Sequence, residues 1–150
     1  MYDLALILHS WLRWFALISG FVAVAMALRS PIGREAPVDR WGLIFMATLD
    51  LQMLIGLLLY FVWSPITAAI FNDFGAAMRD PGARFWAVEH ITLMIFAVAI
   101  AHVGRVLARK ASSPAAKRSR LVSCFSAALI AMLIVTPWPG LPNGRPLFRV

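Results

Sequence analysis

Cysteine is nearly absent from this sequence: Cys124 stands alone. No internal disulfide and no CxxC metal site can form from one thiol. Its position inside an apolar stretch marks it as a small, inert, buried side chain. Acidic residues are scarce too, seven of 150 against fourteen lysines and arginines, and charged residues of both signs reach only 14%. A soluble domain carries about a quarter. No phosphate loop, catalytic triad or zinc spacing is present, so hydrolase and nucleotide chemistry are unsupported. No basic region precedes the first apolar run, and no small-residue cleavage site follows within reach, so that run is expected to be retained.

What fills the sequence instead is apolar: 61% of residues are hydrophobic. Four stretches are long enough to cross a bilayer, which needs roughly 20 residues. They lie near Leu4–Leu28, Trp41–Trp63, Phe85–Leu107 and Leu121–Trp138. None alternates as a barrel strand must. The expected fold is therefore all-α, an integral membrane four-helix bundle forming one four-span domain over residues 1–150. Between spans two and three, Ser64 and Pro65 open a helix. Ile66, Ile70, Phe74 and Met78 recur every fourth residue and predict a short amphipathic surface helix, either packed on the helix ends or acting as a lid.

The net charge of +7 does not point to nucleic acid, because the positive residues cluster in the loops. Arg29, Arg34 and Arg40 follow span one. Arg105, Arg109, Lys110, Lys117, Arg118 and Arg120 surround the loop after span three. The other side has Arg79, Arg84, Arg145 and Arg149. The bias toward positive cytoplasmic loops then predicts that both termini lie outside the cytoplasm. Trp41, Trp63, Trp86 and Trp138 near span ends suit the interface. The Pro- and Gly-rich tail after Thr136 cannot continue a helix and is expected to fold back along the outer surface.

Ionisable groups within spans usually face the bundle interior or a cavity. At 1.5 Å per residue, His9 in span one and His90 in span three both lie about 8 Å below the outer surface. Two imidazoles at one depth on different helices can ligate one haem iron. They can equally hydrogen-bond across a helix interface. Arg79, Arg84 or Arg145 could meet the propionates, and Ser10, Glu89 or a backbone carbonyl could orient the rings. Arg13 and Asp50 reach similar mid-depths, which predicts an ion pair, either fixing helix register or serving a proton or quinone relay. Glu89 points about 100° from His90 and could face Arg13 or relay protons. His102 lies about 18 Å along the helix from His90, too far for the same iron, and reads as structural. Met46, Met53, Met94 and Met132 read as packing.

The segments "LHSWLRW", "LQMLIGLLLYFV", "AAMRDPGARFWAVEH" and "PWPGLPNGRPLFR" together resemble a family of small four-span bacterial membrane proteins labelled cytochrome-B-like. The resemblance covers nearly the whole chain and implies haem b. This sequence departs from the family at Asp50, where relatives often carry a histidine, so it implies no ligand from span two. A more distant similarity runs to the small four-span haem-biosynthesis oxidase that converts protoporphyrinogen. It rests on the early His9 and on His102 before Gly104 and Arg105; the functional lysine of that enzyme's third span is missing here.

The leading expectation is a bacterial inner-membrane electron-transfer protein holding haem b between His9 and His90, with a quinone or neighbouring subunits as redox partners. The competing one is a cofactor-free accessory subunit of a larger respiratory or photosynthetic complex. A transporter is the weakest, since no broken helix or inverted repeat is visible.

Overall fold

A computed structural model describes residues 1–31 and 36–149. Arg34 of the first basic loop lies outside the described residues. Helix α1 spans Tyr2–Arg29 and α2 spans Ala36–Leu58, extended by a π-helical turn at Leu59–Trp63. Three short helices come next: α3 (Pro65–Asn72), α4 (Phe74–Arg79) and α5 (Pro81–Arg84). A second π turn, Phe85–Glu89, leads into α6 (His90–Arg109), and α7 spans Pro114–Val135. Four helical stretches, Tyr2–Arg29, Ala36–Trp63, Pro81–Arg109 and Pro114–Val135, are long and apolar enough to cross a membrane. The chain is an all-α membrane helical bundle.

Local chemistry sets the boundaries. Ser113 caps α7 by accepting from the Ala116 amide, with Pro114 at the first helical position, so this span starts inside the basic segment rather than at Leu121. It stops at Val135, two residues before Pro137, because the residue preceding a proline is pushed out of helical conformation. The four-residue stripe between spans two and three does not form one helix. Asp73 breaks it, ending α3 and capping α4 through the Ala76 amide. Ile66, Ile70 and Met78 still pack with Ala77, Ala87 and Trp86, while Phe74 stays 45% exposed. The amphipathic face survives the break, less one member.

The bundle core is built largely from small residues: Ala16, Ala23, Ala27, Ala97, Ala101, Ala108, Ala128 and Ala131 are all buried. Phe45 meets Phe125 edge-on at its centre, centroids 5.2 Å apart. Large apolar side chains such as Phe15, Ile18, Phe21, Leu54, Phe61, Ile130 and Ile134 point outward, as lipid requires. Close approach through small residues is the usual basis of helix association where burial of apolar surface from water is absent. Helices α6 and α7 show it most directly: a Cβ at Gly104 would collide with the Cys124 Cβ. Gly104→Ala is therefore expected to push the two helices apart, costing about 1–3 kcal/mol. Thermal unfolding in detergent checks this; an unchanged midpoint would show that the helices need not be this close.

The basic end is tied together by its own charges. Lys117 pairs with Asp39 at 3.0 Å, Arg105 donates to the Asp39 carbonyl at 3.0 Å, and Arg118 donates to the Ser30 carbonyl. At the opposite end the tail turns back at Gly140, where φ is +89°. It then runs along α1: Trp11 donates to the Arg149 carbonyl and Trp14 to that of Leu147.

Candidate functional site

At the tail end of the bundle, α1, α2, α3, α6, α7 and the tail enclose a cavity of about 150 Å³. Both His9 and His90 line it. Their ring centroids are 6.4 Å apart, with the planes inclined at 61°. The depth argument thus brings together two residues that are 81 positions apart in sequence (90 − 9).

Each histidine is held differently. The His90 Nδ1 lies 3.0 Å from the Val135 carbonyl of α7. That carbonyl can only accept, so Nδ1 carries the proton and Nε2 keeps its lone pair. Phe85 and Trp86 flank the ring at 5.8 and 5.5 Å. The π turn that precedes His90 closes through its own amide, which donates to the Phe85 carbonyl. Its inserted residue rotates α6 about the helix axis relative to the turn before it, and such bulges recur at functional sites. Tyr60 fastens this turn to α2 by donating to the Ala87 carbonyl at 2.6 Å. The ring of His9 rests against Gly56, where an added Cβ would lie 3.1 Å from its Cε1.

The cavity wall carries polar atoms that lack protein partners. Among the described residues, His9 Nδ1, Arg13 Nε, Gln52 Oε1 and, at the basic end, Arg105 Nε are buried without a hydrogen bond, although the other end of the Gln52 amide donates to the His9 carbonyl at 3.0 Å. His9, Arg13 and Gln52 line the cavity. Buried polar groups are nearly always satisfied, so unpaired ones on a cavity wall point to a polar occupant. Cations gather there too: Arg13, Arg145 and Arg149 all line the wall, and the Arg145 guanidinium lies 5.2 Å from the Trp86 ring centre. Met53, Met94 and Met132 complete much of its apolar surface. Ser64, Ile66 and Thr67 contribute from the start of α3, so this helix closes one side of the cavity.

Other expected arrangements do not form. Arg13 and Asp50 are not paired: the Arg13 Nη2 donates to the Leu147 carbonyl at 2.7 Å, while Asp50 faces His102, Oδ2 to Nε2 3.5 Å. Their depths do agree, since Gln52 touches His9 and Thr48 touches Ser19 on either side of that level. Their directions around the bundle do not. Leu49 and Gln52 are buried on the inner face of α2, which turns Asp50 outward. Arg84 does not reach the cavity either. It pairs with Glu89 at 2.8 Å on an exposed surface, which also directs Glu89 away from Arg13 and from the histidines. His102 does not line the cavity; its Nδ1 contacts the Val98 carbonyl. Of the three arginines expected at the propionates, Arg145 lines the cavity and Arg79 and Arg84 do not; Arg149, which was not expected, lines it as well.

Among the described residues no three His, Cys, Asp or Glu side chains gather as a metal cluster. A metal held here would need most of its ligands from a cofactor. No family model, curated protein or solved structure matches this chain.

Proposed function

We propose that this chain is a membrane electron-transfer protein that holds one haem b in the cavity, with His9 and His90 as its axial ligands. The observation that carries the proposal is the pair of imidazoles that α1 and α6 bring within 6.4 Å of each other on the cavity wall. Two imidazoles sharing one iron, bonded at about 2 Å with each ring centre roughly 1 Å further out, have centroids about 6 Å apart. The distance here is 6.4 Å. The inclination of 61° is no obstacle, because each ring can turn about its own metal–nitrogen direction.

The surrounding residues fit the same group. His90 has a backbone carbonyl holding its Nδ1–H, the usual arrangement behind a ligating imidazole. His9 keeps an unpaired ring nitrogen in the wall. Arg13, Arg145 and Arg149 offer positive charge to two carboxylates, and the aromatic and methionine surfaces suit a porphyrin face. Haem bound there would supply reversible one-electron transfer. The role of the chain is to exclude water, fix both rings and neutralise the propionates. A quinone, or other subunits of an energy-transducing complex, would exchange the electron.

The purified protein should give a b-type reduced-minus-oxidised absorption spectrum, with one haem per chain. A colourless protein from cells supplied with haem precursors would overturn the proposal.

The basic end belongs in the cytoplasm of a bacterial inner membrane by charge bias, which puts the cavity in the outer leaflet. Reporter fusions at Ser112 are expected to behave as cytoplasmic and fusions at the C-terminus as external. The reverse pattern would move the cavity to the inner leaflet.

A further inference from the structure

We infer that the flank of α2 and α6 carrying Asp50 and His102 is where a second copy of this chain docks within the membrane. The inference is independent of the haem proposal, because neither residue lines the cavity. Asp50 lies near the middle of the second span, and His102 in the second half of the third. Their side chains are 52% and 42% exposed. Exposed around them are Leu51, Leu54, Val103 and Val106, a surface made for lipid. Ionisable side chains in a span face the bundle interior or a water-filled cavity; this pair does neither in a single copy.

The pair is also incompletely satisfied on its own. A carboxylate offers about four acceptor sites, and one imidazole nitrogen at 3.5 Å uses one of them weakly. Hydrocarbon supplies no donors for the rest. The missing partner is specified by what the flank presents. It carries one acid and one base side by side, so it is complementary to itself. A two-fold axis along the membrane normal, between α2 and α6, sets Asp50 of each copy toward His102 of the other. Self-complementarity of this kind is the condition for a closed two-fold interface. A foreign helix bearing a single charge would answer only half of the pair.

The relief of the surface agrees. Ala47 lies three residues before Asp50 and Ala99 three before His102, and both are exposed. On the helix surface each is a neighbour of its charged residue. Small side chains beside a polar group let two backbones come close enough for the polar atoms to meet.

The test uses the full chain in native membranes, with Cys124→Ser as a cysteine-free background. Ala99→Cys should form a disulfide-linked homodimer under mild oxidation. Ile130→Cys, on the outward face of α7, should cross-link at least tenfold more slowly. Adding Asp50→Leu with His102→Leu should bring the Ala99→Cys rate down to that of Ile130→Cys. The first comparison leaves Asp50 and His102 intact, so it stands even if the double variant does not accumulate. Equal rates at the two positions would overturn the inference, as would trapping of a different protein by Ala99→Cys.

Discussion

Replacing His9 by alanine is expected to abolish haem binding, and His90→Ala is expected to do the same. The loss should exceed the roughly 10–100-fold drop in affinity that comes from removing a mere supporting partner, because under the proposal each histidine would hold the iron itself. Neither change should unfold the bundle. The His9 ring faces a cavity rather than a packed core, and the helix-stabilising propensity of alanine is higher than that of histidine. His102→Ala provides the contrast, since His102 does not line the cavity and contacts Asp50 and the Val98 carbonyl instead; its haem content should match that of the parent chain. Visible absorbance per mole of folded protein measures all three. Retention of haem by both His9→Ala and His90→Ala would remove these residues as ligands.

The second large effect is expected at Gly56, which lines the cavity and has no side chain to bind an occupant. A Cβ there would already sit 3.1 Å from His9 Cε1, and a leucine side chain would extend into the space beside the ring. Glycine within a helix costs about 0.5–1 kcal/mol relative to alanine, so the substitution need not weaken α2. Gly56→Leu is therefore expected to fold as well as the parent chain and to bind little or no haem, because the His9 ring is displaced while both histidines are retained in the sequence. Thermal stability in detergent and haem content, measured on one preparation, separate the two effects. Normal haem content in a stable Gly56→Leu protein would show that the ring of His9 does not need this gap.

The parts of this architecture that hydropathy and helix rise control were legible in the sequence. The four spans come from apolar length. The common level of His9 and His90 comes from counting residues inward from the same side. Rotation about each helix axis was not legible, because it is decided by which small residues pack together. Arg13 and Asp50 show the consequence: they share a depth, but α2 turns Asp50 toward His102, and a tail carbonyl reaches Arg13 first. Arg84 and Glu89 fall to a local pairing five residues apart across the second π turn, whose extra residue no hydrophobic period reveals. Arg145 was expected at the propionates alongside Arg79 and Arg84; which of these reaches the cavity wall, and that Arg149 joins it, depends on the path of an irregular tail, which has no period to read. Asp73, a capping residue in the middle of an apolar stripe, was a visible signal that one surface helix would divide into two.

Agreement in depth predicted that the histidines would meet, and the structure adds the groups around them on which the proposal rests. These are the Val135 carbonyl behind His90, the unpaired ring nitrogen of His9 and the three arginines on the wall. The central claim is that both imidazoles bind one iron. The electron paramagnetic resonance spectrum of the oxidised, purified protein tests it most directly. The account predicts a low-spin ferric signal from two imidazole ligands, lost in His9→Ala and in His90→Ala. A high-spin signal, or no haem signal at all, would contradict it, and the accessory-subunit reading would then lead.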